Sequence, residues 1–155
     1  MSSGPYVLGP GDGRVLDMGP FQMTVKASSA QTEDALTILE ADEPPGFGPP
    51  MHVHDNCGEA FYVLAGAYIV FMSGEEHHCP TGSFIWVPAG VEHGFRVGES
   101  QSRKLNIYVP AAMEGYFETL AEAASTGAVQ SDAALADFAA RHEMRVTGPV
   151  PQGYV

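Results

Sequence analysis

Positive charge is scarce in this chain: Lys and Arg number 7 against 19 Asp and Glu, for a formal net charge of −12. Such a surface repels phosphate backbones and anionic headgroups, so nucleic acid and membranes are not expected partners. Cysteine is scarcer still. Cys57 and Cys79 are the only two, too few for a disulfide framework. No basic N-terminal region leads into an apolar core, so the expectation is a soluble, cytoplasmic protein with both thiols reduced. No apolar run approaches the ~20 residues that span a bilayer as a helix. Internal repeats, low-complexity tracts and signs of a second domain are also lacking.

What the chain has is turns. Its 155 residues include 18 Gly and 12 Pro without a collagen-like period, and 45% apolar content is enough for one sizeable core. Residues 1–20 read as an extended arm with short strand pieces. Phe21–Lys26 alternates apolar and polar, the period of a half-buried strand, and Ala35–Leu39 is a second candidate. The stretch 44–50, PPGFGPP, can be neither helix nor central strand, and forms a rigid, extended approach to Met51.

Glu59–Leu64 and Ala67–Met72 are apolar and aromatic runs, and Ala65-Gly66 between them predicts a tight hairpin. Ser73-Gly74-Glu75-Glu76 and Pro80-Thr81-Gly82 read as turns, with Phe84–Val87 as a buried-type strand after them. Val91–Val97 and Leu105–Val109 complete the series. Strands at such short spacing predict a sandwich or barrel. The period then changes. Met113, Tyr116, Phe117, Leu120 and Ala124 recur at helical spacing after Pro110, and Gly127 ends that helix. Ser131 caps a second helix with Leu135, Phe138 and Ala139 on its apolar side, stopped by Gly148-Pro149. Two such helices cover one side or one mouth of the β-core.

The chemistry-bearing residues cluster in two stretches. On a strand His52 and His54 project from one face, with Met51 and Val53 on the other. Two imidazoles in an apolar core are expensive unless they share a partner such as a metal ion. Glu59 opens the next apolar strand, where an unpaired carboxylate is equally costly. His93 sits in a Gly/Pro-framed turn leading into a strand. Three imidazoles and one carboxylate suit one divalent first-row ion, and Fe, Mn, Co, Ni, Cu and Zn all accept such ligation. His77-His78 with Cys79 is a second, weaker cluster that reads as an exposed pair, and Cys57 reads as inert packing.

The spacing carries a resemblance. Gly46, five residues, His52-x-His54, four residues, Glu59, six residues, Gly66 is similar to the first motif of the cupin superfamily. Gly82, five residues, Pro88-x-Gly90, two residues, His93 is similar to the second, after a gap of fifteen residues. Val97 stands where that pattern often has Asn. The resemblance covers about residues 20–110. It implies an all-β jelly roll or barrel of two antiparallel sheets, with His52, His54, Glu59 and His93 as metal ligands and Gly66, Gly82, Pro88 and Gly90 in turns. PPGFGPPMHVH, EAFYVLAG, FIWVPAGVEHGFRV and ARHEMRVTGPVP further resemble small single-domain cupins similar to bacterial quercetin 2,3-dioxygenases, which commonly carry two C-terminal helices. On this basis residues 1–155 form a single cupin domain: an arm over 1–20, a barrel core over 21–110, helices over 111–143 and a tail over 144–155.

The expected activity is a metal-dependent dioxygenase acting on a hydroxylated aromatic or enolisable small molecule, with dioxygen as co-substrate. Glu59 is its candidate catalytic group, as fourth ligand or as general base. A non-redox isomerase, cyclase, decarboxylase or lyase is the alternative, followed by a non-catalytic binding module. Phe61, Phe95, Val97, Trp86 and Tyr108 are the candidate pocket walls. The arm, the aromatic-rich barrel face and the family resemblance predict a homodimer.

Overall fold

The computed structural model describes residues 4–127 and 131–151. Eleven strands and two helices follow in order among them. The strands are β1 (Arg14–Asp17), β2 (Gln22–Ala27), β3 (Thr37–Glu43), β4 (Met51–His54), β5 (Gly58–Ala65), β6 (Ala67–Met72), β7 (Glu75–Pro80), β8 (Phe84–Val87), β9 (His93–Val97) and β10 (Ser102–Val109). Helices α1 (Glu114–Ser125) and α2 (Asp132–Ala140) follow, and β11 (Met144–Gly148) returns to the barrel. One sheet runs β1-β2-β3-β10-β5-β8 and the other β11-β4-β9-β6-β7, with the strand pairs antiparallel. This is the expected all-β jelly roll with two C-terminal helices.

Alternation builds the interior. Thr37, Leu39, Ala41 and Glu43 of β3 point inward, as do Ser102, Lys104, Asn106 and Tyr108 of β10. Apolar side chains gather into two clusters. One, around Met23, Leu39, Tyr108 and Met144, lies beside the helices; the other, around Phe61, Tyr68, Val70 and Val97, fills the far part of the barrel. Burial of a Val, Leu or Phe side chain in either contributes about 1.5–3 kcal/mol.

Four local expectations are corrected. Ala65-Gly66 is not a hairpin, because β5 and β6 belong to different sheets. Gly66, at φ 71°, turns the chain from one sheet to the other, and a Cβ there would collide with the Ser102 side chain. The turn after β6 is confined to Ser73-Gly74, and Glu75 onward forms edge strand β7 against β6. Its EEHH run hides that strand, since both faces are largely solvated. Phe84–Val87 is a strand but only half-buried, with Phe84 and Trp86 on its outer face.

The fourth correction bears on the site. The segment expected as a C-terminal tail contains β11, which pairs with β4 and sets Met144 opposite His54 and Val146 opposite His52. The histidine strand is thereby an inner strand of its sheet. Arg145 clamps Asp55 just beyond it through two hydrogen bonds of 2.7 and 3.0 Å. Helix α1 has no fully buried residue. Tyr116, Phe117 and Leu120 on its apolar stripe cover the barrel mouth instead of entering the core. Ser131 caps α2 by accepting from the Ala134 N–H at 3.1 Å.

Candidate metal centre

His52 and His54 stand two apart on β4, and His93 is the cross-strand partner of His52 on β9. Glu59 reaches the same point from the opposite sheet, where β5 pairs it with Tyr108 of β10. The four side chains are buried, and one ligand atom from each lies within 4.8 Å of the others. The 44–50 stretch places β4. Val97 N–H donates to the Phe47 carbonyl at 2.6 Å, Gly46 N–H donates back to the Val97 carbonyl at 3.2 Å, and Gly48 lies so close to Phe95 that a Cβ would strike its carbonyl.

Backbone carbonyls orient two of the rings. His52 Nδ1 donates to the Pro50 carbonyl at 2.7 Å and His93 Nδ1 to the Val91 carbonyl at 3.0 Å, which turns both Nε2 atoms toward the centre. His93 Nε2 then meets Glu59 Oε2 at 2.8 Å. Burial works against a charge on His93, but the Glu59 contact outweighs it and raises the His93 pKa. Burial, and then the neighbouring His93 charge, push His52 down to about 3, which leaves it a neutral donor. Burial also opposes the Glu59 carboxylate, yet its contacts with His54 and His93 hold it well below the usual range.

His54 is the exception among the four. It is 2% exposed, and neither of its ring nitrogens has a hydrogen-bond partner. Its Nε2 lies 3.0 Å from Glu59 Oε2 but outside hydrogen-bond geometry, so that contact is electrostatic. A buried imidazole without a partner is costly. A divalent cation among the four donors would remove that cost and meet Glu59 as well. The residues present therefore fit a metal ion, with three nitrogens and one carboxylate as the donor set.

The group opens into a cavity of ≈ 860 Å³ between the sheets and under the helices. Of the five candidate pocket walls, Phe95 and Tyr108 line this cavity. The other three expected walls do not. Phe61 packs edge-on against Phe95, 5.9 Å between ring centres, and under the Lys104 ammonium. Val97 is enclosed in the far core cluster. Trp86 is 49% exposed, its ring lying over Gly58 on the outer face of the sheet. The four-residue β8 alternates outward at Phe84 and Trp86 and inward at Ile85 and Val87, so this aromatic-rich run is buried on one face only.

Unforeseen members of the lining are Glu43, Lys104 and Asn106, with Phe47, while α1 contributes the side chains expected over the mouth. Alternation back from Tyr108 along β10 places Asn106 and Lys104 on its face, a signal masked by their polarity. Burial, and then the neighbouring Glu59 carboxylate, raise the Tyr108 pKa far above the phenol range. Cys57 packs in the core beside Tyr108, and burial, then Glu59, push its thiol up to about 12, where it is inert. Cys57 and Cys79 are free and lie in different clusters. His77 and His78 are solvent-facing partners of Glu75 and Glu76 at 3.7 and 3.0 Å.

Residues 39–108 match the family model described as Cupin domain. Quercetin 2,3-dioxygenase of Bacillus subtilis (strain 168) is 29% identical over 118 residues, covering 76% of this chain. The chain spans about a third of that relative's length, 35%. Among solved structures, an RmlC-like cupin from Shewanella frigidimarina superposes with a TM-score of 0.61 at 19% identity, over 72% of this chain and 94% of that one. The polyketide cyclase RemF of Streptomyces resistomycificus gives 0.59 at 20% identity, over 68% and 79%. These structural likenesses speak to the fold, and the matched residues 39–108 contain His52, His54, Glu59 and His93. The chain thus carries a cupin-like segment over residues 39–108 and resembles quercetin dioxygenase-like proteins.

Proposed function

We propose that this protein is a metal-dependent oxygenase that acts on a hydroxylated aromatic or enolisable small molecule. The observation that carries the reading is a buried three-imidazole, one-carboxylate group opening into a deep cavity with aromatic and aliphatic walls. The likeness to a quercetin 2,3-dioxygenase supports it. A bound divalent ion would supply Lewis acidity and, for a redox-active metal, access to dioxygen chemistry. His52, His54 and His93 would hold that ion. Glu59 would serve as fourth ligand or accept the proton of a substrate hydroxyl, its carboxylate steadied by Tyr108. Phe47, Tyr116, Phe117 and Leu120 would flank the substrate and exclude water.

Protein loaded with a redox-active first-row metal is expected to consume dioxygen with quercetin or a related enol, and metal-stripped protein is not. Glu59→Gln should lower turnover by roughly 100-fold or more. Substrate loss under strict anaerobiosis would replace the oxygenase with a non-redox enzyme. The polyketide cyclase likeness keeps that second reading in view, at the level of a shared fold.

A homodimer belongs to the same proposal. Tyr62, Phe84 and Trp86 are 44%, 58% and 49% exposed, and β5–β8 pairing sets Tyr62 against Phe84 and Ala60 against Trp86. The patch is aromatic and uncharged on a chain of net charge −12. Copies that repel elsewhere can approach most readily across such a face. Light scattering should give twice the chain mass, and Trp86→Lys should halve it. A wild-type monomer overturns the assignment.

A further inference from the structure

We infer that Asn106 is a second substrate anchor, which binds a neutral hydroxyl at the end of the ligand remote from Glu59. This rests on the reading of the cavity as a site for a hydroxylated small molecule, and goes beyond it by naming what the far end recognises.

Asn106 lies on β10 between Lys104 and Tyr108, its side chain in the cavity. The register places Tyr108 beside Glu59 and Asn106 beside Phe61, one inward-facing step further from the metal-ligand group. Two strand residues span about 7 Å. Asn106 is 4% exposed, and its Oδ1 has no hydrogen-bond partner. A buried polar atom left unmatched costs stability, so an unmatched one on a residue that lines a ligand-sized cavity points to a partner that arrives with the ligand. A carboxamide offers one acceptor and one donor group, and a hydroxyl can meet either.

The next inward residue decides the charge of that partner. Lys104 is 1% exposed, but its ammonium is already matched. It donates to Glu43 Oε1 at 2.9 Å, and that carboxylate also accepts from the Tyr68 hydroxyl at 2.9 Å. The Phe95, Tyr68 and Phe61 rings surround the same ammonium, 4.1, 5.1 and 5.2 Å from it. Lys104 is the only Lys or Arg lining the cavity among the described residues. No unmatched cation is left there to hold a carboxylate or phosphate. The far end is polar and electrically balanced, which suits a phenol or alcohol.

Three two-ring probes test this by calorimetric titration of the full chain: 2-naphthol, 2,6-dihydroxynaphthalene and 6-hydroxy-2-naphthoate. The second hydroxyl should tighten binding about tenfold over 2-naphthol, the scale of one buried hydrogen bond. The carboxylate should bind more weakly than either. Asn106→Leu should erase the advantage of the second hydroxyl, while circular dichroism confirms the fold. If the leucine variant does not fold, Asn106→Ala removes the same group at smaller volume and should give the same loss. Equal binding of the two naphthols by the wild type, an equal loss of both in the variant, or no binding of any probe overturns the inference. Dioxygen uptake with quercetin is a separate readout. If uptake persists without hydroxyl discrimination, Asn106 is no anchor and the oxygenase reading stands. Discrimination without uptake gives the reverse.

Discussion

Exchange of His54 for leucine is expected to leave the metal-free protein as stable as the wild type and to abolish its stabilisation by added metal. The two halves of this result have separate causes. Without an ion, His54 is a buried imidazole whose nitrogens lack hydrogen-bond partners, and a leucine of similar volume removes that cost, which offsets the loss of its 3.0 Å contact with Glu59. With an ion, the loss of one of four donors should weaken binding by at least ~100-fold, since even residues that only orient metal ligands are worth 10–100-fold. Metal at a hundredfold excess over Kd stabilises the folded wild type by about 2.7 kcal/mol. For a chain of this size that is roughly 5–10 °C in Tm. Thermal melts of stripped protein with and without Zn(II) or Ni(II), alongside elemental analysis, read both effects. A His54→Leu protein that still gains the full shift would remove the metal centre from this account.

The second large effect is expected at Lys104 and Glu43. Their ion pair lies deep in the barrel, with both residues at most 2% exposed. Removal of one partner leaves the other charge buried and unmatched, so Lys104→Met or Glu43→Leu should each cost about 3–5 kcal/mol in urea unfolding. Replacement of both by apolar side chains should recover most of the loss, because the desolvation of both charges is then avoided. The double-mutant cycle should therefore show strong coupling. Mild and additive single effects would mean that water reaches the pair. A pair that an apolar core could replace is not there chiefly for stability. Its place beside Asn106 ties it to the electrical balance of the cavity.

A sandwich or barrel, the four-residue donor group and the two helices could be read from the linear chain because each rests on short-range regularities. Alternation fixes which strand residues share a face, glycine and proline mark the turns, and the spacing of His52, His54, Glu59 and His93 survives as a motif. Other features depend on partners distant in sequence. Gly66 looks like a hairpin apex until Ser102, from β10, is seen to fill the space beside it. The polar β7 and β11 are strands only because β6 and β4 offer them edges to pair with. Trp86 faces out because its neighbour Val87 pairs with Glu59 and takes the inner face. Lys104 and Asn106 look like surface residues until β3, β5 and β9 close around them. Whether a polar side chain is buried, and what then satisfies it, is settled by segments tens of residues away. Local pattern cannot supply that, and in this protein it separates a recognisable four-residue donor group from the cavity into which that group opens.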